Sequence, residues 1–159
     1  MSASHSVGVG AQQIAQSPSV LRALGVGSCV VVALYDRKRA IGGLAHLPLP
    51  SREGRREQPE QFVDSGLELL LRRLGERGCE LADLEVKAAG GATLLASSNG
   101  CSATSIAPSN VAALRATLTR LGLDLAGEDL GGQSARSVEL DTRTGELRIA
   151  TLRRDLSVL

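Results

Sequence analysis

The sequence predicts an α/β protein of the layered α+β kind, with mixed or antiparallel sheets and helices packed on their outside. Three observations carry this. Two stretches repeat apolar residues at helical spacing and stop at a glycine. Val- and Leu-rich runs of strand length outnumber those stretches. Two pairs of such runs are joined by short polar turns, which makes the paired strands antiparallel neighbours.

In chain order, residues 1–6 are small and polar and are expected to be disordered. VGVGAQQIAQ (7–16) reads as a first strand, broken by Ser17-Pro18-Ser19. Cys29 to Tyr35 is a Val-rich strand, and AIGGLAHLPL (40–49) is its return. SREGRREQPE (51–60) is polar with mixed charge, an exposed loop. QFVDSGLELLLRRLGERG (61–78) places Phe62 or Val63, Leu67, Leu70 or Leu71, and Leu74 on one helical face, with Gly78 at the C-terminal cap. LEVKAAGGA (84–92) is a strand running into a diglycine turn. SNVAALRATLTRLG (109–122) is a second helix, with Val111, Leu114, Leu118 and Leu121 on one face. RSVELDTRTGELRIATL (136–152) is a hairpin turning at Thr142 to Gly145. A single domain is expected to span residues 1–159.

Composition excludes several function classes. The net charge is +1, so no global field recruits nucleic acid or an anionic membrane. Tyr35 and Phe62 are the only aromatic residues, too few for a base-stacking platform. No apolar run is long enough to span a bilayer, and the N-terminus lacks the pattern of a signal peptide. Three cysteines, an odd number, imply free thiols in a reducing compartment, so the cytoplasm is the expected location. No CxxC occurs, and neither Cys79 nor Cys101 has a histidine at ligand spacing, so no metal site is expected. Gly25, Gly27 and Gly91 form no phosphate-binding fingerprint, and no cofactor is expected. The arginine-rich patches at 52–56, 72–73 and 153–154 have acids close by and read as solvated faces.

Cys29 and His46 admit two readings. A free cysteine in a Val-rich run is often simply packed. Centring the intervening turn on Asp36–Arg39, however, makes Cys29 and His46 direct cross-strand partners, with Cβ atoms about 4.5–5.5 Å apart. A bulge at Gly42-Gly43 would undo this, because it flips side-chain parity. An adjacent imidazole enriches the reactive thiolate and can return the proton to a leaving amine. Gly27 and Ser28 shape the turn into Cys29, whose amide could donate to an oxyanion.

LGVGSCVVVALYDRKRAIGGLAHLPLP (24–50) resembles the signature of the CheD chemoreceptor glutamine deamidases, a Gly-Ser-Cys strand followed by a Gly-x-x-His-x-x-x-Pro return. VKAAGGATLL (86–95) is similar to that family's Lys-x-x-Gly-Gly-Ala segment. Residues 105–149 are similar to its closing helix, Asp-x-Gly-Gly loop and final hairpin. The resemblance implies a layered α/β fold shared with deamidating toxins of the cytotoxic necrotizing factor type. It implies Cys29 as nucleophile and His46 as acid and base, without a cofactor. It also implies a protein-glutamine glutaminase of bacterial chemotaxis, turning receptor glutamines into glutamate and ammonia. Methyl-accepting chemotaxis receptors are the implied substrate, and a CheC-type phosphatase acting on phosphorylated CheY is an implied partner. Two departures stand out. The family's threonine six residues before the cysteine, its third catalytic residue, is Ala23 here, so the position expected to orient the histidine has lost its hydroxyl. Its Gly-x-Arg-Asn is Ala107-Pro108-Ser109-Asn110. Ala23 keeps open a second reading, a weakened binding module that docks receptors or a CheC-type phosphatase. A general thiol hydrolase or protease is a third, although nothing around Cys29 resembles the papain-type context.

Overall fold

A computed structural model describes residues 2–94, 103–153 and 155–159, with residues 103–105 described by their backbone only. In chain order the elements are β1 (Ala3–Ser6), β2 (Gln12–Gln16), β3 (Ser19–Val26), β4 (Val30–Asp36), β5 (Ile41–Leu47), α1 (Val63–Glu76), β6 (Leu84–Gly90), α2 (Ala103–Leu121), β7 (Leu125–Leu130), β8 (Arg136–Asp141), β9 (Leu147–Thr151) and β10 (Leu156–Val158). The strands form two five-stranded sheets, ordered β1-β3-β8-β9-β10 and β2-β5-β4-β6-β7. The layered α/β sandwich expected from the sequence is what the chain builds.

Two cores divide the apolar residues. Leu21, Ala23, Val31, Ala33, Leu44 and Leu140 fill the space between the sheets. Val32, Leu34, Leu47, Leu67, Leu70 and Leu114 fill the space between the second sheet and the helices. Strand β4 lies between both cores, which is why it is a continuous apolar run rather than an alternating one. Strand β5 is buried on both faces too, and it has room for little at its middle. A Cβ on Gly42 would stand 2.9 Å from a Leu140 methyl, and one on Gly43 2.9 Å from a Leu70 methyl. Those glycines let both layers close on the sheet, and the β4–β5 pairing runs through them without a bulge.

Several expectations are corrected. The terminal segment expected to be disordered forms a strand over Ala3–Ser6: β1 pairs in parallel with β3, Ala3 opposite Ser19 through Ser6 opposite Arg22. Ser19–Val26, unassigned in the sequence, is a strand whose Leu21 and Ala23 face inward. Exposed Leu24 and Gly25 mask its alternation. The first expected strand is shorter, beginning at Gln12. Helix α2 begins at Ala103 and carries Pro108 inside it rather than starting after it. Residues 53–58 are exposed, and a 3₁₀ turn at Pro59–Gln61 leads into α1.

The turn between β4 and β5 decides the site. Asp36 stays in its strand opposite Ile41, and the turn is Arg37–Ala40, one residue later than expected. The Asp36 carboxylate is fully buried and accepts from the Arg39 amide at 3.0 Å and the Arg39 guanidinium at 2.8 Å. Burial alone would raise the Asp36 pKa, but these bonds and one from the Cys79 thiol outweigh it and hold it below the usual carboxylate value. Ala40 closes the turn in the left-handed region, at φ 52°. With the centre moved, His46 lies opposite Val31, not opposite Cys29.

Candidate active site

Cys29 and His46 are nevertheless on one face. Cys29 is the residue just before β4, in a bend rather than within the strand. It packs against the core between the sheets, as do Val31 and Ala33 further along. His46 alternates with Leu44, which faces that same core. The direct pair expected from the sequence is not formed: His46 pairs with Val31, and Cys29 lies two residues before Val31, just outside the ladder.

His46 is almost fully buried and is held on three sides by residues 7–11. Its Nδ1 lies 3.2 Å from the Val7 carbonyl. Its amide donates to the Ala11 carbonyl at 3.1 Å, and its carbonyl accepts from the Gly10 amide at 2.8 Å. A carbonyl only accepts, so the neutral ring must carry its proton on Nδ1. Nε2 then bears the lone pair, and among the described residues it has no hydrogen-bond partner. Burial pushes the imidazole pKa below the ordinary histidine value, partly opposed by the Val7 carbonyl.

Cys29 is half-buried, and burial raises its thiol pKa against the pull of its own main-chain amide. The sequence reading expected a thiolate enriched by the histidine; burial of each group instead favours a neutral thiol and a neutral imidazole at rest. Burial penalises both charges. Cys79 is further from reactivity. It is buried beneath the Asp36 turn, and its thiol is pushed up to about 11 by burial and the Asp36 carboxylate. Cys101 lies outside the described residues.

The turn into Cys29 is fixed by its carbonyls. That of Gly27 accepts from Ala92 at 2.9 Å, and that of Cys29 from Gly91 at 2.8 Å. Gly90 and Gly91 have φ of +111° and +66°, and a Cβ on Gly90 would overlap the Cys29 carbonyl, so the diglycine is required here. The loop after β7 backs this arrangement, with the Gly131 amide donating to Gly90 at 2.8 Å. Buried Arg136 donates to the Asp129 and Gly131 carbonyls.

The Ser28 carbonyl is taken by a residue the sequence reading missed as a site residue. Asn110, fully buried in α2, donates through Nδ2 to Ser28 at 2.9 Å and to Pro48 at 3.0 Å. It thereby ties the turn carrying Cys29 to the end of the strand carrying His46. Its Oδ1 has no partner among the described residues. The available signal was an asparagine on the apolar face of a helix, matching the last residue of the family's Gly-x-Arg-Asn.

Ala23 is fully buried in β3, opposite Val138, within the core between the sheets. Position 23, expected to orient the histidine, carries no polar side-chain atom that could reach it. The Nδ1 partner is the Val7 carbonyl, since β1 brings residue 7 alongside β3, where its amide donates to Arg22 at 2.7 Å. A pocket of about 230 Å³ opens beside His46, between Val7–Val9 on one side and Arg22 and Leu24 on the other. Val9 and Leu24 are 62% and 63% exposed, leaving an apolar approach to a buried polar group.

Comparison with known proteins gives the family. The family model for CheD chemotactic sensory transduction matches residues 46–151. The chain belongs to the CheD family. It is 40% identical over 157 residues to the "Probable chemoreceptor glutamine deamidase CheD 2" of Geobacter metallireducens, covering 97% of each chain. It is 37% identical over 155 residues to the "Probable chemoreceptor glutamine deamidase CheD 1" of Methanosarcina acetivorans, covering 96% of this chain and 95% of the relative. To the "Chemoreceptor glutamine deamidase CheD" of Thermotoga maritima it is 35% identical over 143 residues, covering 90% and 88%. Family membership extends over almost the whole chain.

Proposed function

We propose that this protein is a chemoreceptor glutamine deamidase, with Cys29 as nucleophile and His46 as acid and base. The observation that carries the reading is a buried, neutral His46 with an unpartnered Nε2, on the same face as Cys29. As the Cys29 sulfur bonds to the carboxamide carbon of a glutamine, its proton passes to His46 Nε2. The Cys29 amide, at the head of a turn whose carbonyls are all engaged, donates to the developing oxyanion. The tetrahedral adduct collapses when imidazolium returns the proton to nitrogen, and ammonia leaves a thioester. Water, losing a proton to Nε2, attacks that thioester; the sulfur departs and recovers the proton. The products are glutamate and ammonia, and the receptor gains a negative charge at each site.

The free thiols at Cys29 and Cys79 suit a reducing compartment, so the reaction is assigned to the cytoplasm. No helix among the described residues is long and apolar enough to cross a membrane. A CheC-type phosphatase as docking partner rests on the family resemblance, and co-purification of the two proteins tests it.

The test is mass spectrometry of a receptor fragment incubated with the protein. A gain of about one dalton per glutamine is the expected result, since NH₂ becomes OH in the acyl chemistry. Loss of that gain in Cys29→Ala, with the fold intact, assigns the nucleophile. Receptor binding without any mass change identifies a docking module and overturns the assignment.

A further inference from the structure

We infer that the main-chain carbonyl of Val7, and not residue 23, positions His46 for catalysis, so that the segment Val7–Ala11 is part of the active site. The inference deepens the deamidase reading and rests on it. Three hydrogen bonds run between this segment and one residue: Val7 to Nδ1, Gly10 to the His46 carbonyl, and Ala11 to the His46 amide. The segment is anchored independently of the histidine. The Val7 side chain is 2% exposed in the core between the sheets, its amide donates to Arg22, and β1 before it is paired along its whole length with β3.

The bond does chemical work beyond holding a ring in place. Free imidazole favours neither nitrogen strongly enough to ensure that Nε2 stays unprotonated, and a base must present its lone pair to the thiol. A carbonyl at Nδ1 selects the productive tautomer and stabilises the imidazolium formed during attack. It also explains how the chain accommodates alanine at position 23. An active site that takes its orienting acceptor from the main chain at residue 7 does not need a hydroxyl at residue 23, so Ala23 is not evidence for a silent binding module.

The experiment alters the carbonyl itself. Replacing Gly8 by glycolic acid converts the Val7–Gly8 amide into an ester, whose carbonyl is a weaker acceptor. Gly8 is exposed, a Cβ there would touch nothing, and among the described residues its amide has no acceptor, so the change is confined to the bond in question. Nitrogen-15 NMR of the histidine rings, in a His5→Gln background that leaves His46 alone, reads the tautomer directly. The parent should show the proton on Nδ1; a proton on Nε2 overturns the inference. In the ester, turnover should fall about two- to tenfold, the scale of one weakened hydrogen bond, with KM unchanged. The acid limb of the rate profile should move to lower pH, because the carbonyl stabilises the charged ring. A fall in rate without that movement assigns the segment a structural role only and refutes the positioning role. Ala23→Thr crowds a fully buried position and should bring no gain in rate; a gain of about tenfold or more would return the role to residue 23. Absence of turnover in the parent protein sinks the deamidase reading, whereas the tautomer still decides the orientation.

Discussion

Removal of the Asn110 carboxamide is the perturbation that most directly probes how the site is held together. In Asn110→Ala two hydrogen bonds are lost, to the Ser28 and Pro48 carbonyls. A net contribution of about 1 kcal/mol per bond gives about 2 kcal/mol. Both acceptor residues are only partly buried, so water can reach part of the vacated space and a larger desolvation cost does not apply. Against this, the wild-type protein buries an unpartnered Oδ1, and its removal returns about 1 kcal/mol or more. The cavity left by the deleted amide is small. The stability loss should therefore be modest, about 1 kcal/mol by urea denaturation, leaving the variant folded at room temperature.

The effect on catalysis should be larger than that stability loss suggests. Nothing else described here joins the Ser28 carbonyl to the end of β5, and a shift of about 1 Å between nucleophile and base can cost about a hundredfold. Turnover of a receptor fragment by Asn110→Ala should fall at least about tenfold, with KM nearly unchanged, because the clamp lies beneath the turn rather than in the approach. Asn110→Asp keeps the shape but sets an acceptor against two carbonyls, so it should be the more damaging of the two. Wild-type turnover in Asn110→Ala, or an Asn110→Asp variant more active than Asn110→Ala, would refute the reasoning.

His46→Gln should lower turnover by about a hundredfold or more, the usual scale of lost general acid–base help, measured by ammonia release. In the parent the acid limb should lie below the ordinary histidine value of about 6.5, because burial keeps the ring neutral and basic at lower pH; a limb above that value would contradict the geometry. Alkylation at neutral pH followed by peptide mapping should label Cys29 before Cys79, which is buried and raised to about 11. Equal rates would show that the Asp36 turn opens freely. Asp36→Ala should cost about 1.5–3 kcal/mol in a denaturant titration, the scale of hydrogen bonds to a charged group, since Arg39 loses its bonds to the buried carboxylate but remains paired with Asp83; a loss below about 1 kcal/mol would mean that the turn is not held by this pair.

The parts of the fold legible in the sequence are those whose burial pattern has a single period. Helix α1 shows its apolar stripe at Val63, Leu67, Leu70 and Leu74, and the β8–β9 hairpin alternates cleanly around a polar turn. Strand β3 was illegible because Leu24 is exposed while Ala23, a weak signal, is buried. Strand β1 was illegible because its residues are mostly exposed and its support is main-chain pairing with β3, which no side-chain pattern records. The Cys29–His46 association was readable as a shared strand face, but its register was not. A turn of fixed length can centre on either side of Asp36, and what decides is a carboxylate that prefers burial with Arg39 to exposure in the turn.

That last point extends to the chemistry. Sequence reasoning looks for side chains, and at this site much of the work is assigned to main-chain groups. The acceptor behind His46 is a carbonyl, the proposed oxyanion donor is an amide, and Gly91, Ala92 and Asn110 engage the turn through its carbonyls. Apart from an amide lost to proline, such groups cannot be removed by substitution, only displaced, so side-chain identity constrains the site less than backbone path does. The neutral resting pair fits the same logic. An amide nitrogen leaves only when it is protonated, and an imidazole that gains its proton as the sulfur attacks holds it beside that nitrogen when it is needed. A preformed ion pair in a site this buried would be penalised before substrate arrives. The combination of a raised thiol pKa with a lowered imidazole pKa therefore argues for proton transfer coupled to attack. A solvent isotope effect on the acylation step would distinguish it: a rate unchanged in heavy water would point to a thiolate formed beforehand, and a clear slowing to a proton in flight.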